Sequence, residues 1–70
     1  MQRYLIVIEK ADGNFSAYSP DVIGCVATGR TREETERNME EAIRMHLDGL
    51  REDGLPLPVP VATAEYVQIV

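Results

Sequence analysis

Tyr18-Ser19-Pro20-Asp21-Val22-Ile23-Gly24-Cys25-Val26-Ala27-Thr28-Gly29-Arg30-Thr31-Arg32-Glu33-Glu34 is the stretch that decides the fold. Pro20 has no N–H to donate, so it ends the pairing of any strand arriving at Tyr18. Pro20-Asp21 reads as a turn, and its Pro and Gly serve dihedral needs more simply than ligand binding. Gly24 and Gly29 bracket a short strand, Cys25 to Thr28. Thr31 and Glu34 have capping-box spacing. The Thr31 hydroxyl can accept the Glu34 N–H, and the Glu34 carboxylate can return to the Thr31 N–H. The order is therefore strand end, turn, short strand, helix start. No group in the stretch is set up for catalysis, which points to a binding module.

Upstream, Tyr4 to Glu9 reads as a strand, because Tyr-Leu-Ile-Val-Ile is aromatic and β-branched. It is apolar on both alternating faces, with Tyr4, Ile6 and Ile8 on one and Leu5 and Val7 on the other. Asp12-Gly13-Asn14 marks a hairpin, and Phe15 to Ser19 is the returning strand.

Downstream, Thr35, Met39, Ala42, Ile43 and Leu50 recur at helical spacing, with Leu47 at the margin of the stripe. Glu33, Arg37, Glu40, Arg44, Asp48 and Arg51 fall on the other side, and Glu33–Arg37 and Glu40–Arg44 are favourable four-apart pairs. Gly54 ends the helix. The prolines at 56, 58 and 60 then make an extended connector, a spacer rather than a ligand motif. Ala64 to Val70 reads as a last strand. The expected fold class is α+β, ordered β-β-β-α-β, with one helix on one face of a small, mostly antiparallel sheet. One helix covers one face only, yet the first and last strands are apolar on both. A homo-oligomer, dimer or higher, is the expected answer, with Tyr4, Ile6, Ile8, Val67 and Ile69 as its contact residues.

Seventy residues make one small domain, 1–70, whose core alone supplies roughly 3–5 kcal/mol. Cys25 is the single cysteine, so no disulfide forms within the chain, and one His and one Cys do not make a structural zinc site. Seven basic against twelve acidic residues give a net charge of −5. That disfavours direct nucleic-acid binding and suits a basic protein partner. The opening MQRYLIVIEK is too polar for a signal peptide, and no run approaches the length of a membrane span. A cytoplasmic protein without cofactor is expected.

These elements together resemble the HicB family, the antitoxin partners of HicA-type mRNA-cleaving toxins. The resemblance rests on the opening strand, Asp12-Gly13-Asn14-Phe15-Ser16-Ala17-Tyr18, Pro20-Asp21, Gly24-Cys25, Thr28-Gly29, Thr31, Glu33-Glu34, Asn38, Ala42, and Gly54 with Pro56 and Pro58. It covers nearly the whole chain. Arg30 and Thr35 depart from it, standing where the family often has Asp and Ala. The resemblance implies a partial RNase H-like fold and inhibition of a small basic toxin by binding. It assigns Pro20, Asp21, Gly24, Gly29, Thr31, Glu34 and Gly54 to the scaffold. The helix-turn-helix or ribbon-helix-helix segment that many HicB proteins carry after this domain has no counterpart before Val70, so no DNA-binding segment is expected. Two alternatives stand beside the antitoxin: a self-associating structural or regulatory domain with no toxin partner, and a vestigial or active RNase H-like metal-dependent nuclease.

Glu33, Glu40 and Glu41 are the candidate contacts for a basic toxin, set against a plain solvated helix face. A nuclease would need carboxylates converging on metal ions, and Glu9, Glu34 and Glu65 are the candidates. Strand-end and helix-face charges are more often solvated, so neither catalytic nor metal-binding residues are assigned. Cys25, between glycines in a short strand, reads as a small packed hydrophobe rather than a nucleophile. His46 falls on the apolar stripe and is expected half-buried at a helix–sheet or subunit contact. Gly49, inside the helix, is expected to allow close approach of the sheet or another subunit.

Overall fold

The computed structural model describes residues 2–70. Three antiparallel strands precede one helix: β1 (Val7–Ala11), β2 (Asn14–Tyr18), β3 (Val26–Gly29) and α1 (Arg32–Glu52). The sheet order is β1-β2-β3. Asp12 and Gly13 form the two-residue turn between Ala11 and Asn14, and Gly13 takes φ 77° there. Pairing of β1 with β2 runs from Ala11↔Asn14 to Val7↔Tyr18. It stops there because β2 turns away at Pro20, so Tyr4 to Ile6 precede the paired strand instead of belonging to it. The buried Ser19 hydroxyl still ties this leader, donating to the Leu5 carbonyl at 2.8 Å.

The turn after Pro20 serves the core as well as the chain direction. Val22 is 1% exposed, while Ile23 beside it is 87% exposed. The Cys25 N–H donates to the Val22 carbonyl at 3.2 Å, and Gly24 at φ 84° closes the turn. The third strand therefore starts at Val26, one residue later than the sequence suggests.

Helix α1 has the expected caps, with one change. Thr31 accepts the Glu34 N–H at 3.0 Å, but the Glu34 carboxylate reaches the N–H of Arg30, at 2.8 Å, instead of that of Thr31. At the other end Gly54, at φ 67°, donates to the Arg51 carbonyl and Leu55 to the Leu50 carbonyl. That pair of bonds is a Schellman motif. Thr35, Met39, Ile43 and Leu47 form the buried stripe. Thr35 is fully buried, and its hydroxyl donates to the Thr31 carbonyl at 2.7 Å. Asn38 donates to the Thr28 carbonyl at 2.8 Å and fastens the helix to β3.

The expected fourth strand, Ala64 to Val70, is not formed. After the helix, the Pro58 carbonyl accepts from the Tyr4 hydroxyl at 2.7 Å. The Asp21 carboxylate then accepts the N–H groups of Val61 and Ala62 at 3.2 and 3.0 Å. Residues 63–70 run on without a neighbouring strand, and all are exposed. Strand propensity is real in this segment, but propensity supplies no partner, and a lone strand leaves its ladder unmade.

Candidate functional site

The helix covers one sheet face and leaves the other open. Ile8, Ala17 and Ala27 are directly opposite one another across the three strands and pack toward the core, as do Tyr4 and Ile6. Tyr4, Ile6 and Ile8, expected on a self-association surface, are partly buried on the helix side of the sheet. The open face carries the alternate residues. Val7, Tyr18 and Val26 align across it, with Tyr18 43% and Val26 67% exposed. Glu9, Ser16 and Thr28 form the next, polar row. The apolar end of the open face is a candidate contact surface.

A groove of about 690 Å³ lies between the segment leading into β1 and α1. Tyr4, Ile6, Ile43 and Leu47 form its apolar floor, and Glu36, Glu40, Arg44 and Arg51 stand around it. Among the described strands β1 pairs with β2 alone, so its outer backbone edge has no ladder partner.

The outer surface of α1 is charged, with seven acidic and four basic side chains along the helix. Glu33, Glu40 and Glu41 are all exposed. Glu40 pairs with Arg44 at 2.7 Å, and Asp48 with Arg51 at 3.0 Å. Both pairs are solvent-exposed and each stabilises by only a few tenths of a kcal/mol. Arg37 does not pair with Glu33, contrary to expectation. Glu36, on the groove rim, was not singled out by the sequence reading; its position four residues before Glu40 was the available signal.

The nuclease candidates do not converge. Glu9 projects from the open sheet face, Glu34 is held at the helix start by the Arg30 N–H, and Glu65 sits in the unpaired segment, accepting only from the Tyr66 N–H. Among the described residues, no three His, Cys, Asp or Glu side chains gather at metal-binding spacing. Cys25 is buried, and burial raises its thiol pKa. That is the reverse of an activated nucleophile. His46 is exposed, not half-buried, because Ile43 and Leu47 turn to the core and leave it at the stripe's outer margin. Gly49 is also exposed, with nothing within 4 Å of an added Cβ, so it accommodates no close approach. Gly29 has that role instead. Of the remaining scaffold residues, Asp21 does more than turn the chain, since it also clamps the segment after the helix. Among the described residues no helix is long and apolar enough to cross a membrane.

Comparison with known proteins agrees with this architecture. Residues 4–69 match the profile of the HicB-like antitoxin of bacterial toxin–antitoxin systems. The chain is similar to an uncharacterised 14.9 kDa protein from the rep–hol intergenic region of Haemophilus phage HP1, with 38% identity over 91% of this chain. It spans about half of that protein, 48% of its length. A UPF0150 protein of Helicobacter pylori (strain J99) is 43% identical over 70% of this chain and 68% of its own. Among solved structures, a chain of the HicA3 and HicB3 toxin–antitoxin complex superposes with a TM-score of 0.71. It is 38% identical, and the match covers 86% of this chain and 70% of that one.

Proposed function

The chain belongs to the HicB-like antitoxin family of bacterial toxin–antitoxin systems, and from that premise we propose that it binds and neutralises a small, basic, HicA-type mRNA-cleaving toxin. It does so as a non-enzymatic binding module in the cytoplasm. The observation that carries the reading is the likeness, in sequence and in fold, to a chain of a toxin–antitoxin complex. Charge supports it independently. A net charge of −5, much of it on the outer surface of α1, attracts a basic partner and speeds encounter. Glu33, Glu40 and Glu41 are the steering contacts, and the apolar row Val7, Tyr18, Val26 offers the kind of surface that holds a partner once it arrives.

Growth rescue tests this. Co-expression of the chain with the product of an adjacent short basic reading frame is expected to relieve toxicity, and the two proteins are expected to co-purify. Charge reversal at Glu33 and Glu41 together is expected to slow association several-fold at low salt and to matter less at high salt. Failure to rescue any such neighbour, with the chain folded and expressed, would refute the proposal.

A further inference from the structure

Three of the four aspartates in the chain are followed directly by glycine: Asp12-Gly13, Asp48-Gly49 and Asp53-Gly54. An Asp-Gly pair can isomerise without an enzyme. The glycine nitrogen attacks the side-chain carboxyl carbon of the aspartic acid. A C–N bond forms, a C–O bond breaks, and the nitrogen's proton leaves with the carboxyl hydroxyl as water. The five-membered succinimide then takes up water again. Opening at the original main-chain carbonyl leaves an isoaspartyl residue, whose main chain runs through Cβ and Cγ. Nothing is oxidised or reduced, and water is the one co-reactant. Glycine favours the step because it has no side chain to shield the nitrogen and its backbone reorients freely.

All three aspartates are exposed, so access of water does not separate them. The state of the attacking nitrogen does. Inside α1 the Gly49 N–H belongs to the helical ladder, and the Asp48 carboxylate is drawn to Arg51 at 3.0 Å. At the helix end the Gly54 N–H donates to the Arg51 carbonyl at 3.1 Å, within the Schellman turn. In the β1–β2 hairpin the Gly13 N–H has no hydrogen-bond partner among the described residues. No atom stands within 4 Å of the place a Gly13 Cβ would occupy, so the turn has room to close the ring. Reaction at Gly49 or Gly54 requires a local opening first; reaction at Gly13 does not.

The geometry points to Asp12 as a site of selective isoaspartate formation in the folded protein, because its exposed carboxyl sits beside the free amide of Gly13 at the hairpin tip, with Asp53 slower and Asp48 slowest. The product alters the fold where the sheet is least braced. Among the described strands β1 has β2 as its one neighbour, and the two-residue turn between Ala11 and Asn14 sets their register. An isoaspartyl residue lengthens that turn by one main-chain carbon. The pairing from Ala11↔Asn14 to Val7↔Tyr18 therefore loosens, while β2 keeps its pairing with β3. Because β1 supplies Val7 to the apolar row of the open face, the change also acts on the candidate contact surface.

Ageing of the folded chain at neutral pH and physiological temperature tests the assignment with no toxin present, so its result is independent of the antitoxin reading. Digestion with a protease that cuts at aspartate but not at isoaspartate, followed by electron-transfer fragmentation, locates the product. Isoaspartate is expected at position 12 about fivefold faster, or more, than at 53 or 48, the factor that one backbone hydrogen bond of ordinary net strength represents. In denaturant the three positions should react at similar rates. Asp12→Glu keeps the carboxylate but would need a six-membered ring, so it should abolish the product at position 12 and leave the other two rates unchanged. Hydrogen exchange in the aged protein should accelerate across β1 and not across β3. Equal rates at the three positions in the folded chain, a faster reaction at 48 or 53, or the same ranking in denaturant would each overturn the assignment. Unaltered exchange across β1 in the isomerised chain would overturn the proposed loosening of the hairpin.

Discussion

Gly29 is pressed against Thr35. A Cβ at position 29 would stand 2.6 Å from the Thr35 hydroxyl oxygen and 2.8 Å from its backbone nitrogen. Neither atom can yield cheaply: Thr35 is fully buried, and its hydroxyl is held by the Thr31 carbonyl in the first turn of the helix. This contact sets how closely α1 approaches the end of β3. Gly29→Ala is expected to destabilise the fold by about 1–3 kcal/mol, the range for overpacking a tight site. Urea unfolding of the two proteins measures it, and Gly29→Ser should be at least as damaging.

Gly49 predicts the opposite sign. It lies inside α1, is exposed, and has no atom within 4 Å of an added Cβ. Gly49→Ala should stabilise by about 0.5–1 kcal/mol through helix propensity and a less flexible unfolded chain. The thermal midpoint should rise by a few degrees, and a fall would show that this position meets a partner in the assembled protein.

Asp21 couples the turn after β2 to the chain beyond the helix. Its Oδ2 accepts both the Val61 and Ala62 N–H groups. Asp21→Ala should leave those amides to solvent and cost about 1–2 kcal/mol, reduced from the buried-site range because the site is partly exposed. Hydrogen exchange at Val61 and Ala62 should accelerate while exchange at Met39 and Ile43, in the core, stays slow. Uniform acceleration at all four sites would mean that the clamp stabilises the whole fold and not one segment.

How far the sequence was readable follows from the range of each interaction. Local signals read well. The hairpin at Asp12-Gly13, the cap at Thr31 and the Gly54 stop are each set within a few residues, and the stripe through Thr35, Met39 and Ile43 by spacing along one helix, although Leu47, read as marginal, is buried and Leu50 only partly so. Details that depend on a distant neighbour read badly. Nothing in Pro20-Asp21-Val22 announces that Val22 enters the core or that Asp21 holds residues forty positions away. Gly49 and Gly29 look equally unusual in sequence, and only the packing of Thr35 separates them. The last segment shows the same limit: Ala64 to Val70 has the composition of a strand, but whether it becomes one depends on an edge that the single chain does not bring to it. The excess of apolar residues on two-sided strands was legible, while the face left open, Val7 with Tyr18 and Val26, required knowing which side the helix takes.

Cys25 gives the pH-dependent prediction. Burial raises its folded pKa above the ordinary value of 9.0, which the unfolded chain retains. Well below 9.0 both states hold the proton, and the thiol adds no pH dependence. As pH rises past that value the unfolded chain ionises first and binds fewer protons than the folded one. Stability therefore falls with rising pH, and the loss continues until the folded thiol also ionises. The readout is therefore a difference between two proteins. Cys25→Ala should be less stable at neutral pH because it removes buried volume, but it should lose less on going to about pH 10 than the unaltered chain does. The same burial should make Cys25 slow to react with a thiol reagent in the native state and fast in denaturant. Parallel alkaline slopes for the two proteins, or rapid native labelling, would place the thiol at the surface.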